Sequence, residues 1–131
     1  MGAKKLIETK GVKSAGGRPY SPALKVGDYL YISGQVPIDA QGKTVGAGDP
    51  VAQARQAFEN IKELIEIAGG TMDDIVFLLI YVTDMRHYFT FGELRKEYFK
   101  PPYPASTAIG VTGLAQEDWC VEIEATAYLG K

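Results

Sequence analysis

The stretch CVEIEATAYL, residues 120–129, alternates apolar and polar side chains along its length. Val121, Ile123, Ala125 and Ala127 fall on one side of an extended chain, and Cys120, Glu122, Glu124 and Thr126 on the other. A period of two with one apolar side describes a strand whose sheet is covered on one face and open on the other. The fold then turns on what supplies the cover. Asp49-Pro50 is a helix start, an acceptor at the N-cap followed by proline in the first turn. Beyond it Val51, Ala54, Phe58, Ile61, Ile65 and Ala68 recur at spacings of three and four, which is one apolar helix stripe, and Gly69-Gly70 ends it. Gln56, Glu59, Asn60, Glu63 and Glu66 form the water-facing side.

Working outward, KKLIETKG predicts a short opening strand over 6–9, and SAGGRPYSP, residues 14–22, a loop. ALKVGDYLYISGQV reads as a hairpin, with strands over 23–26 and 29–33 about a Gly27-Asp28 turn. Tyr29 and Tyr31 alternate with Leu30 and Ile32, setting an aromatic face against an aliphatic one. Residues 37–48 are polar and glycine-rich, a loop or a weak extra strand. IVFLLIYVT, 75–83, is almost continuously apolar, the pattern of a strand covered on both faces. Asp84 caps a second helix with Phe91, Leu94 and Tyr98 inward, and Pro101-Pro102 forbid its continuation. PPYPASTAIGV then gives a strand over 106–111, GLAQEDW a turn, and the opening quotation the last strand. The order βββ-α-β-α-ββ predicts a single α+β domain over 1–131, one sheet with two helices packed on one face.

Composition narrows the function classes. The chain has 131 residues, 46% hydrophobic and 23% charged, with formal net charge −2 and its cations scattered singly. Nucleic-acid binding draws on clustered cations, so none is expected. Cys120 is the single cysteine, which forbids an intrachain disulfide and fits a reducing compartment. The N-terminus lacks a signal-peptide core, and the most apolar run, 75–82, is far shorter than the roughly 20 residues that cross a bilayer. A cytoplasmic protein without membrane contact is the expectation. His87 and Cys120 each stand alone, so no metal site is expected. His87, at a helix start, reads as a surface residue. No nucleophile elbow or phosphate-cradling glycine loop occurs. Glu122 is the chemical candidate: a carboxylate on an open strand face becomes a general acid or base if an interface desolvates it. Burying that face in a homo-oligomer would also create clefts between subunits.

Several stretches, in order, resemble one family. RPYSPALKVGDYLYISGQVP, 18–37, is similar to its GPYSQAVKVGNLVFVSGQIP segment; AQARQAFENIKELIEIAGGTMDDIV, YVTDM and VEIEATA resemble its helix, central strand and closing strand. This is the RidA/YjgF family of reactive-intermediate deaminases, and the resemblance runs from about residue 5 to 129. It implies a chorismate-mutase-like homotrimer with ligand clefts between subunits and the open sheet faces inside. It also implies hydrolysis of small enamines and imines to carbonyl compounds and ammonia, with no metal or organic cofactor. Position by position, Tyr20 matches the pocket tyrosine, Ser33 and Gly34 the cleft-lining SGQ residues, and Glu122 the acidic residue that orients a water.

The chain departs from the family at one place. PASTAIGV aligned with the family's PARSxVxV puts Ser106 where an arginine grips the substrate carboxylate. Gly92 stands at an asparagine position, and the loop 100–103 is shorter than usual. A serine hydroxyl cannot replace a bidentate guanidinium. Three readings follow. The protein is a deaminase with altered substrate choice, Arg18 beside Pro19-Tyr20 being the nearest alternative cation. Or the cleft binds a neutral small molecule through Ser106, Thr107, the amide of Ala108 and Glu122. Or a non-catalytic trimer serves a partner enzyme. The family's endoribonuclease and translation-inhibitor labels gain no support from the acidic balance.

Overall fold

The structure is a computed structural model and describes residues 3–12 and 18–130; residues 14–17 of the loop expected before the hairpin lie outside them. The helix that the apolar stripe defines, α1, spans Pro50–Ile67. The Asp49 side chain accepts from the Ala52 N–H at 3.1 Å, and Pro50 opens the first turn. Gly69, at φ +96°, takes the left-handed turn that ends it. Ala54, Ala57, Phe58, Ile61, Leu64 and Ile65 are wholly buried. Each such leucine, isoleucine or phenylalanine contributes about 1.5–3 kcal/mol. This face lies on the sheet, against β3 and β6.

Six strands form one mixed sheet: β1 Lys5–Ile7, β2 Ala23–Val26, β3 Tyr29–Gln35, β4 Ile75–Val82, β5 Ala105–Gly110 and β6 Val121–Tyr128, in the order β1-β2-β3-β6-β4-β5. Every pairing is antiparallel except β4 with β5. Parallel neighbours need a crossover, and the chain between Val82 and Ala105 supplies it with helices. The final strand behaves as its alternation requires: Val121, Ile123, Ala125 and Ala127 are buried beneath the helices, while Glu122, Glu124 and Thr126 are half-exposed on the open side. Leu30 and Ile32 are likewise buried, with Tyr29 and Tyr31 about half exposed.

Four local expectations are corrected. The second helix is two: α2, Met85–Tyr88, and α3, Gly92–Tyr98, so three α-helices stand among the described residues, together with a 3-10 turn at Met72–Asp74. The break has a local cause. Thr90 donates both its hydroxyl (2.6 Å) and its backbone N–H (3.0 Å) to the His87 carbonyl, ending α2 after one turn. Phe91, Leu94 and Tyr98 still point inward as expected. Second, β4 is covered on one face only; Phe77, Leu79 and Tyr81 remain half-exposed within the single chain. Third, Asn60 is buried rather than water-facing. Its amide donates at 3.1 Å to the carbonyls of Val36 and Ile38, drawing the segment after β3 under the helix. Fourth, Cys120 does not share the open face with Glu122. Its backbone N–H and thiol both donate to Gln53 Oε1 of α1, at 2.8 and 3.2 Å. Burial pushes the thiol pKa upward, which makes it a poor nucleophile.

Gln53 is itself wholly buried, and its amide donates to the carbonyls of Gly46 and Asp118. One side chain thus satisfies three backbone groups from two segments, and each would otherwise cost about 1–3 kcal/mol if left unpaired. The polar 37–48 stretch contributes a single bridge, Ile38 with Thr44, rather than a strand. Trp119 is buried beside it, its indole N–H donating to the Thr44 hydroxyl at 3.1 Å. Together these ties fix the loops around one end of the sheet.

Candidate functional site

That end of the sheet holds a hollow of about 740 Å³. A break in the ladder opens it. Ile32 pairs with Ala125 and Gln35 with Ile123, so β3 carries one extra residue there, and Ser33 and Gly34 leave the regular pairing. Such bulges bend a strand and re-aim its groups. Ser33 fastens the preceding loop to the bulge: its N–H donates to Pro22 O at 2.9 Å and its hydroxyl to Ser21 O at 2.6 Å. The loop itself is tight, with Tyr20 N–H donating to Arg18 O at 2.8 Å. Arg18 and Tyr20 are thereby held on the wall of the hollow with Ser33, Gly34 and Glu122.

Gly34 and Glu122 are in close contact. A β-carbon at position 34 would collide with the Glu122 carboxylate, so glycine is what lets the carboxylate lie against the bulged backbone. Glu122 is half-buried, and among the described residues its carboxylate accepts no hydrogen bond. Burial, and then the neighbouring Glu124, raise its pKa above that of an ordinary glutamate. Glu124 is engaged differently: it accepts from the Tyr81 hydroxyl at 2.7 Å, and that bond is the main reason the Tyr81 pKa is pushed up to about 12. The strand therefore presents two carboxylates on one face, one claimed by a tyrosine and one open to the hollow.

The remaining expected residues stand elsewhere. Ser106, Thr107 and Ala108 sit on β5, opposite Leu78, Leu79 and Ile80. Tyr81 is opposite both Glu122 and Ile109. Ser106 is thus two strands across and three residues along from Glu122, roughly 14 Å at ordinary strand spacings. A single chain does not bring β5 to the hollow. Thr107 shares the open side with Leu79, while Ser106 and Ala108 fall on the side of buried Leu78 and Ile80. His87, expected at the surface, lines a second hollow of about 720 Å³ near the start of α1, and its Nδ1 is buried without a hydrogen-bond partner among the described residues. Asn60, Asp39 and Trp119 also line the first hollow. No motif in the sequence marks them, because each arrives through a contact distant along the chain. Among the described residues no group of three or more His, Cys, Asp or Glu converges as metal ligands, and no helix is long and apolar enough to cross a membrane.

The fold, a six-stranded mixed sheet with helices on one face, is shared by well-matched relatives. The family model described as Endoribonuclease L-PSP matches residues 12–129. A RutC family protein of Pyrococcus horikoshii is 41% identical over 110 residues, covering 84% of this chain and 86% of that protein. Among solved structures, YyfA of Yersinia pestis, described as a protein of unknown function of the conserved Rid family, is 38% identical, with TM-score 0.89 over 96% of this chain and 99% of its own. TdcF of E. coli, solved with bound serine, is 33% identical, with TM-score 0.86 over 97% and 100%. The chain belongs to the RidA/YjgF family.

Proposed function

We propose that this protein hydrolyses a small enamine or imine to a carbonyl compound and ammonia, with Glu122 as the acid–base group. The observation that carries this reading is the Glu122 carboxyl, half-buried, free of hydrogen bonds from the described residues and packed on Gly34 within a hollow of ligand size. An enamine first takes a proton from solvent on carbon to become an iminium. Water then adds to the C=N carbon as the Glu122 carboxylate removes its proton. That proton passes to nitrogen, and the carbinolamine collapses with C–N cleavage as its hydroxyl proton is lost to solvent, releasing ammonia and the carbonyl product and restoring the carboxylate. A carboxyl with a raised pKa suits both proton removal and return. Tyr20 and the backbone at Ser33 and Gly34 position the ligand. No metal or organic cofactor enters this scheme. The serine bound in the E. coli relative supports a ligand of amino-acid size.

The working unit in this proposal is a homotrimer in the cytoplasm, without nucleic-acid or membrane partners. Tyr29, Tyr31, Tyr128 and Ile109 stand 40–51% exposed on the open face, apolar area that association would cover. A neighbouring subunit's β5 would then bring Ser106, Thr107 and Ala108 to the Glu122 hollow, which its own β5 does not reach. Ser106 in place of the family arginine is the reason for altered substrate choice.

The decisive experiment releases an enamine in situ from a pyridoxal-phosphate serine dehydratase and follows the decay of the intermediate's absorbance. Faster decay with added protein is expected. An unchanged decay with ligand still bound in the hollow would favour a non-catalytic small-molecule-binding or partner-regulating trimer. A solution mass equal to one chain would remove the shared cleft.

A further inference from the structure

Glu122 and Glu124 share the open side of β6, two residues and about 7 Å apart along the strand. Across the ladder, β4 sets Tyr81 opposite Glu122 and Leu79 opposite Glu124. Directly opposite side chains are the nearest cross-strand pair, so register alone assigns the Tyr81 phenol to Glu122. The hydroxyl goes elsewhere. It leans along the strand and donates to Glu124 Oε1 at 2.7 Å, and with its pKa pushed up to about 12 it stays a donor through the neutral range. No other group replaces it at Glu122. From β3, the Ser33 hydroxyl is committed to Ser21 O at 2.6 Å, and Tyr31 lies further along, opposite Thr126. From the loops around the hollow, Arg18 forms no ion pair among the described residues, Tyr20 stands exposed on the wall, and Asp39 Oδ1 accepts the N–H groups of Gln41 and Lys43. From α1, the Asn60 amide is bound to the carbonyls of Val36 and Ile38.

From this register we infer that Glu124 is a positioning residue for Glu122: it draws the Tyr81 phenol away and sets a second negative charge beside the reacting carboxylate, which leaves that carboxylate unpaired and ready to take a proton from water. The inference rests on the proposed reaction and adds to it a residue that acts through another rather than on the ligand. Its two effects have the same sign. A hydrogen bond received by a carboxylate favours the charged form, and a like charge nearby disfavours it. Diverting the donor and supplying the charge therefore both make Glu122 the stronger base, in the direction that burial, and then Glu124, already move it. Leu79 completes the arrangement. Having no polar group, it leaves Glu124 to capture the phenol of the neighbouring register position.

Two measurements on the full-length protein test this. One is the acid limb of the pH profile of enamine hydrolysis. The other is the titration of the Glu122 carboxyl, followed by NMR of protein isotope-labelled in its glutamate carboxyls, the signal being the one that Glu122→Gln removes. Glu124→Gln keeps an acceptor for Tyr81 but removes the charge, and should move both to lower pH. Glu124→Ala should move them further, because the phenol is then free to turn to Glu122. Adding Tyr81→Phe to Glu124→Ala should reverse that extra movement, and Tyr81→Phe alone should lower neither. At neutral pH the weakened base should slow hydrolysis about three- to tenfold in Glu124→Ala. A limb and a titration that keep the wild-type position in Glu124→Ala would overturn the assignment, whether or not the rate falls at every pH. So would an equal movement with and without the Tyr81 hydroxyl. If the carboxyl titration responds as expected but the protein does not speed enamine decay, the reaction is refuted and the pairing stands. Hydrolysis with a limb indifferent to Glu124 does the reverse.

Discussion

Glu122→Gln should lower imine hydrolysis by about 10²–10⁴-fold, the usual contribution of a positioned acid–base group, while the fold persists. The amide keeps the shape that packs on Gly34 but can neither take a proton from water nor return it. Its pH dependence gives a second signature. Because burial and Glu124 raise the Glu122 pKa, the wild-type rate should fall on the acid side at a pH above the ordinary glutamate value of about 4.3, as the base becomes protonated. That limb should vanish in Glu122→Gln. Stability moves the other way. A raised pKa means the folded chain holds the proton more tightly than the unfolded one, so the contribution of Glu122 to stability declines as pH rises through the folded value. At neutral pH the ionised carboxylate is a burden, and Glu122→Gln should melt no lower than wild type. A variant that retains full rate, or loses it only by unfolding, would remove Glu122 from the chemistry.

Gly34→Ala should cost about a hundredfold in rate with little change in melting temperature. The added methyl would collide with Glu122, whose carboxylate and Cγ are the three atoms nearest to it, a side chain rather than backbone. Position 34 has no positive φ, so alanine strains nothing locally. The carboxylate therefore swings aside, and a displacement of about 1 Å at a reacting group is enough for a loss of this order. Comparing rate with thermal unfolding decides the matter. If the rate is unaffected, the contact between bulge and carboxylate has no part in catalysis.

How far the sequence foretold these features depends on whether a local pattern carries them. The alternation of 121–127 and the stripe from Ala54 to Ile65 report which side of each element is buried, and the sheet and α1 follow. The fate of Asn60 does not. Its place on the helix surface marks it as solvated, and only the return of Val36 and Ile38 beneath it reverses that. Alternation carries Cys120 onto the open face only if the strand runs one residue further than it does, past the point where Gln53 captures the chain. The break between α2 and α3 rests on the Thr90 hydroxyl, which an inward-facing trio of Phe91, Leu94 and Tyr98 does not disclose. For the site, a glycine within a strand pattern already signals a bulge or a close approach, yet its neighbour, the Glu122 carboxylate, lies far along the chain. The separation of Ser106 from Glu122 follows from strand order and register, which no short stretch encodes.

Trp119 gives the molecule a built-in optical reporter. It is the chain's one tryptophan, it is 8% exposed, and it stands on the wall between the two hollows. Because Thr44 anchors the indole N–H, the ring keeps its orientation while its surroundings change from water to solute. Intrinsic fluorescence of the unlabelled protein can therefore follow occupancy in real time, with no second emitter of the same kind to confuse the signal.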